Sequence, residues 1–451
     1  LLLALRWPYV WLGVGVAFGV AGLWWGMRYV RANPFWLPCV LLLIEVVPSM
    51  QFFDESVRPV IRYPMLLAVC LPAIPLRWRG TMLVRGGFRL YLIYFAFALI
   101  SVSYSLCPTY SLGRVMSSTL LFGGLYRAAE SVKDEHDVRQ ILFGFWFASC
   151  LVLAILLASL FLLPGDITWD VPERWSEDTV VRFQGVLGQP NQVGAIALGT
   201  IASGVMLWRA AAKWRRVAIA ASITLAIFFT AIADSRSAIV ALAAGFFALT
   251  FDRYRWRAVA VSLLLLTLAI GGASLLSSNS LAYVNRGDVM TLTGRTDLWW
   301  FAIAKIKESP ILGYGYEVEG EIYRDRYFPL REKLWDQGPY ISLHSGYLAR
   351  AAGLGVPALL FWLFFILRPM VKIVRGSPDY FRIRDAIFLG AIPVLVMNLD
   401  ESAASDCRYS IGILLAVIWA IAERSRLLAQ DEQHLEVSAK TKLVAASGYA
   451  S

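Results

Sequence analysis

The stretch Ile141-Leu142-Phe143-Gly144-Phe145-Trp146-Phe147-Ala148-Ser149-Cys150-Leu151-Val152-Leu153-Ala154-Ile155-Leu156-Leu157-Ala158-Ser159-Leu160-Phe161-Leu162-Leu163 carries no charged side chain over 23 residues. As a helix rising about 1.5 Å per residue, it is long enough to cross a hydrocarbon layer of about 30 Å. A segment in lipid must satisfy its own backbone groups, and this run is too long and continuous for a barrel strand, so it reads as a transmembrane helix. Comparable apolar runs lie near 8–26, 35–48, 60–76, 88–106, 110–126, 191–208, 217–233, 237–251, 258–276, 343–367, 385–399 and 408–422. The region 35–76, interrupted by Asp54, Glu55, Arg58 and Arg62, holds one or two of them. The expectation is an all-α polytopic membrane protein of about 12 transmembrane helices.

Composition agrees. Of 451 residues, 58% are hydrophobic and 16% charged, with a mean hydropathy of +0.60. Average soluble domains carry roughly 25% charge, so a soluble enzyme, a disordered chain and a nucleic-acid binder all lose support. The 17 Trp suit a chain with many membrane-water boundaries. Cys39, Cys70, Cys107, Cys150 and Cys407 form no C-x-x-C and no Cys/His cluster, which speaks against a disulfide framework or a zinc site. No cleavable leader is expected, since the first apolar run leads straight into further spans.

The net charge of +10 is mostly topological. Short loops with Arg77, Arg79, Arg85 and Arg89, with Arg209, Lys213, Arg215 and Arg216, with Arg253, Arg255 and Arg257, and with Arg368, Lys372, Arg375, Arg382 and Arg384 alternate with loops poor in cations. The cation-rich loops are expected inside. The chain then divides into a transmembrane bundle over 1–276 with a short outward segment at 164–190, an outward loop over 277–342, transmembrane helices over 343–422 and a cytoplasmic tail over 423–451. The tail from Gln430 to Ser451 reads as solvated and flexible. Within the outward loop, Arg295 to Ile306 predicts a helix lying in the membrane interface, stopped at Ser309-Pro310. Gly313-Tyr314-Gly315-Tyr316 reads as a tight turn rather than a phosphate loop.

The sequence has no Walker A loop, no G-x-S-x-G, no H-E-x-x-H and no D-x-D. Nucleotide use, serine hydrolysis and metal catalysis lose support together, so no cofactor and no metal are expected. What remains are polar residues at the outer ends of apolar helices, where burial is costly and function is the default hypothesis. Arg182, Arg236 and Arg295 sit on the side where topology predicts few cations. A guanidinium grips phosphate bidentately, and several converging forks hold a pyrophosphate without metal. The competing readings are a headgroup arginine for each and, for Arg236, a structural pair with Asp234. His344 lies at the outer start of a span, with Tyr347 expected one turn along on the same helix face. Imidazole, with an unperturbed pKa of about 6.5, suits a general base, against the alternative of an interfacial or capping histidine. Glu45 reads as an isolated charge within a span.

Together, Gly294-Arg295-Thr296-Asp297-Leu298-Trp299, Ser309-Pro310-Ile311-Leu312-Gly313-Tyr314-Gly315 and His344 with Tyr347 and Gly353-Leu354-Gly355 resemble the signature of the O-antigen ligase and polymerase superfamily. Arg182-Phe183-Gln184-Gly185 with Gln189-Pro190-Asn191, and Ser235-Arg236-Ser237, resemble two further motifs. One departure is Ser345, where many relatives have Asn. The resemblance implies a GT-C-like inner-membrane glycosyltransferase of lipopolysaccharide biosynthesis, with its active site facing the periplasm. It implies an undecaprenyl-pyrophosphate-linked glycan donor and, in the ligase branch, a lipid A-core acceptor. His344 would be the base, Arg182, Arg236 and Arg295 the pyrophosphate clamp, and Asn191 and Tyr347 substrate contacts, with a helix-start role open for Asn191. An O-antigen polymerase or a protein O-oligosaccharyltransferase shares the signature. A transporter or flippase would favour an internal repeat, and the sequence shows no clear one.

Overall fold

The computed structural model describes residues 36–47, 50, 57–70, 86–170, 182–255, 295–324, 343–376, 379, 381, 383–399, 401 and 410–448. Its elements are α1 (Leu37–Val46), α2 (Val57–Cys70), α3 (Gly86–Ser101), α4 (Pro108–Glu130), α5 (Glu135–Leu162), the strands β1 (Trp169–Asp170) and β2 (Arg182–Phe183), α6 (Pro190–Trp208), α7 (Lys213–Ile232), α8 (Arg236–Tyr254), α9 (Arg295–Glu308), α10 (Glu319–Arg324), α11 (Gly346–Leu354), α12 (Val356–Val374), α13 (Ile392–Met397) and α14 (Ser410–Gly448). The protein is an all-α polytopic membrane protein. Among the described residues, six helices are long and apolar enough to cross a membrane, beginning at Gly86, Glu135, Pro190, Lys213, Arg236 and Val356. The expected spans at 8–26 and 258–276 lie outside the described residues.

The opening stretch forms the end of α5, a helix of 28 residues whose N-cap Asp134 accepts a hydrogen bond from the Asp137 amide at 3.0 Å. Two-sided burial marks the helices at the centre. On α6, Val193, Ala195, Ala197, Leu198 and Ala202 are buried, and small residues let neighbouring backbones approach. Trp419 of α14 lies fully buried, its indole nitrogen donating to the Phe365 carbonyl at 2.9 Å, with Tyr91 and Phe122 around it. That indole is buried only because its one donor has a partner.

Several sequence expectations are corrected. Glu45 is not isolated: Arg62 of α2 meets it through Nε at 3.0 Å and Nη2 at 2.7 Å, so the charge of α1 is paired inside the bundle. The run at 343–367 is two helices, because Gly355 at φ 84 breaks α11 from α12 and its N–H closes on the Ala351 carbonyl. The run at 385–399 is interrupted by a π-turn over Ile387–Ala391. The tail is helical as far as Gly448, continuous with the last apolar helix. At the start of that extension Glu423 and Arg426 pair in burial, and Glu423 also accepts from the Gly87 amide at 2.6 Å.

The helix expected over Arg295 to Ile306 is present as α9. Phe301 and Ala302 are buried against Ala349 and Ala352 of α11, while Trp300 is exposed. The turn that follows needs its glycines: Gly313 and Gly315 have φ of 66 and 118. The amides of Tyr314 and Gly315 donate to Ala352 and Gly353 at 3.0 and 2.8 Å, so the turn is sewn to the end of α11. Arg114 of α4 holds Glu317 beyond that turn at 2.5 Å, both nearly buried. At the start of the turn, Lys305 and then Tyr314 hydrogen-bond Glu308 and hold its carboxyl below the usual range.

Candidate active site

The site is built where several helix ends meet. Asn191 lies in the first turn of α6, behind Pro190, whose fixed φ suits a helix start. Its amide is buried and bridges two charges. The oxygen accepts from Arg182 Nη2 at 3.0 Å, and the nitrogen donates to Glu401 Oε1. A cation on one side and a carboxylate on the other assign the orientation of the amide.

Arg182 belongs to the short antiparallel ladder in which it faces Asp170 and Phe183 faces Trp169. Its Nε donates to the Ala233 carbonyl at 3.2 Å and its Nη2 to the Asp234 carbonyl at 3.3 Å. Those carbonyls end α7, where unpaired oxygens and the helix dipole favour a cation. Arg182 thereby fixes the turn into α8. Asp234 is left-handed there, at φ 47, and Ser235 packs so tightly on α6 that a Cβ at Gly194 would lie 2.2 Å from its Oγ. Arg236, the first residue of α8, is exposed on this turn, its amide donating to Asp234 at 3.1 Å.

His344 precedes a helix rather than belonging to one, which corrects the expected stacking with Tyr347. It is left-handed at φ 48, and Ser345 is the N-cap of α11, accepting from the Leu348 amide at 3.5 Å. Asn and Ser rank alike as N-caps, so the departure at position 345 preserves the local chemistry. The Gly346 amide donates to Asn398 and Glu401 carbonyls at 3.0 and 3.3 Å. This approach requires glycine, since an added Cβ would stand 2.0 Å from Asn398 Oδ1.

That docking brings His344 Nδ1 to 3.5 Å from Glu401 Oε2. The Glu401 side chain is 2% exposed and the imidazole 30% exposed. A carboxylate facing Nδ1 favours the tautomer with its proton there, leaving Nε2 as the accepting nitrogen. Tyr347 uses its hydroxyl to donate to the Leu395 carbonyl at 2.7 Å, with its ring edge on Trp362. Helix α9 joins the same neighbourhood through a side chain: Trp299 Nε1 donates to the Leu343 carbonyl at 3.1 Å, and Arg295 starts that helix one turn earlier.

The structure therefore joins His344, Asn191 and Arg182 through Glu401, a residue that motif reading missed. Its signal in the sequence was an acidic pair, Asp400-Glu401, just past an apolar run. Among the described residues, Asp134, His136 and Asp137 place metal-ligand atoms within 4.8 Å of one another, at the start of α5. Hydrogen bonds occupy that group: Asp134 caps the helix and Asp137 accepts from the Lys133 amide at 2.9 Å.

Comparison with known families matches residues 221–363 to the family described as O-Antigen ligase. That stretch contains Arg236, Arg295, His344 and Tyr347, whereas Arg182, Asn191 and Glu401 lie outside it. No curated protein matches the chain. The match over residues 221–363 supports the O-antigen ligase superfamily and a ligase- or polymerase-type function.

Proposed function

We propose that the protein is an inner-membrane O-antigen ligase that moves a polysaccharide from undecaprenyl pyrophosphate to the lipid A-core on the periplasmic face, without metal. The observation that carries this reading is the buried connection from His344 through Glu401 and Asn191 to Arg182 beside a matched ligase domain. An acceptor hydroxyl attacks the anomeric carbon of the donor sugar. The new glycosidic C–O bond forms as the bond to the pyrophosphate oxygen breaks, and the hydroxyl proton passes to Nε2 of His344. Glu401 stabilises the imidazolium, as a carboxylate behind a catalytic histidine does. The pyrophosphate leaves with its added charge, which Arg236 and Arg295 stabilise. Arg182 contributes by shaping the turn that presents Arg236.

The test is the glycan of a deletion strain. Long chains accumulated on the undecaprenyl carrier, with bare core on the surface, are expected. A core bearing a single repeat would assign the polymerase reaction instead, which the matched family also supports.

A further inference from the structure

Glu401 reaches His344 at the end of a helix that is out of α-register. From Arg384 the chain winds normally, then Ile387–Ala391 form a π-turn in which the Ile392 amide donates to Ile387, five residues back. A π-turn is one inserted residue, which rotates everything beyond it by about 100° around the helix axis. Beyond it lie the Leu395 carbonyl that takes the Tyr347 hydroxyl, the Asn398 carbonyl that takes the Gly346 amide, and Glu401 itself. An unbroken α-helix from Arg384 would turn these three groups away from α11.

The sequence supports the turn from both sides. Pro393 has no N–H for an α-type bond, and its ring would crowd the carbonyl four residues back. Against the bulge stands Gly245 of α8, where a Cβ would lie 2.8 Å from the Phe388 carbonyl oxygen and 2.6 Å from Pro393 Cγ. Gly390, within the turn, lets Ile418 of α14 approach, since its Cβ would be 2.4 Å from Ile418 Cδ1. Gly245 thus makes the recess on α8 into which the π-turn fits, and Gly390 lets α14 close on its other side.

We propose that the π-turn, seated on Gly245, is a positioning element for the transfer reaction: it sets the rotation that brings Glu401 onto His344. Gly245 is a positioning residue, touching neither substrate nor the reacting atoms. This inference rests on the His344 and Glu401 roles proposed above.

The experiment uses Gly245→Ala in the full chain in nanodiscs, with Gly204→Ala as the control. Gly204 faces α7, where a Cβ would be 3.2 Å from Ile219 Cγ2, so it crowds a helix contact that involves neither Phe388 nor Pro393. Gly245→Ala is expected to lower kcat about tenfold or more with the KM for the lipid-linked donor unchanged, because misplacement of a catalytic pair by about 1 Å costs up to about 100-fold. Gly204→Ala keeps its kcat. Cryo-EM of Gly245→Ala should show residues 395–401 displaced from α11. Normal kcat, or a structure in which α8 yields and Glu401 stays on His344, overturns the proposal. Should Gly245→Ala not accumulate, Pro393→Ala, which adds no bulk, is expected to lower kcat in the same way, and normal kcat there overturns it equally. If the wild-type protein transfers nothing, the functional reading fails, and the displacement of 395–401 still decides the structural one.

Discussion

His344 Nδ1 faces Glu401 Oε2 at 3.5 Å, although the two residues come from separate segments and meet only where the approach to α11 abuts the end of α13. The carboxylate is almost fully buried and the imidazole partly open, so one side of the ring is held while the other remains accessible. Carboxylate-oriented histidines recur in acyl transfer for the same physical reason: the buried charge fixes the tautomer and stabilises the imidazolium.

If His344 takes the acceptor proton, His344→Ala should slow glycan transfer by about 10² to 10⁴. Stability should change little, because His344 lies ahead of the N-cap rather than in the helix. His344→Gln keeps a hydrogen-bonding group without basicity and is expected to fail almost as badly. Transfer of labelled glycan by purified protein is the measurement, and substantial activity in the Gln variant would reduce His344 to an orienting role.

Glu401→Gln retains the shape and a partner for Asn191 but removes the charge behind the imidazole. Transfer should fall by at least about tenfold, roughly 1.4 kcal/mol at the transition state. Protein yield and melting temperature, read in parallel, should remain near wild type, and a variant with full turnover would make Glu401 a packing residue.

The arginine fork at position 182 serves three oxygens, those of Ala233, Asp234 and Asn191. An ammonium is a point charge and cannot span them, so Arg182→Lys should cost at least about tenfold in transfer. Arg295→Lys is expected to lose a similar factor if Arg295 serves the proposed pyrophosphate clamp. Normal rates for both, at normal expression, would leave them as topological or headgroup residues.

Ser345→Asn should leave both stability and transfer close to wild type, because either side chain caps α11. Ser345→Ala removes the cap and should cost about 1 kcal/mol. Thermal unfolding of the two variants in detergent makes the comparison, and an Asn variant as unstable as Ala would refute the capping account.

Treatment with EDTA should leave turnover unchanged, since the proposed reaction balances charge through guanidinium groups alone. Loss of transfer that Mg²⁺ or Mn²⁺ restores would require a metal step.

An uncharged run such as Ile141 to Leu163 determined its helix by itself, because lipid gives it one stable way to pair its backbone, whereas the breaks within 343–367 and 385–399 were not legible. Local chemistry also made α9 and the turn at Gly313 and Gly315 legible, one from apolar spacing and caps, the other from glycine. The motifs pointed to His344, Asn191 and Arg182 as chemistry-bearing residues, yet their arrangement was not readable. Whether His344 sits on a helix depends on which residue caps α11, and periodicity misses that. Glu401 belongs to no motif and has Asp400 beside it in the sequence, and only packing shows that the Glu401 carboxylate lies between Asn191 and His344. The pairing of Glu45 with Arg62 escaped for the same reason. Spans and turns follow from interactions between near neighbours in the chain. The site instead depends on the relative rotation and height of separate helices, which are set by contacts such as Gly245 on Phe388 and Gly194 on Ser235 that no local pattern records.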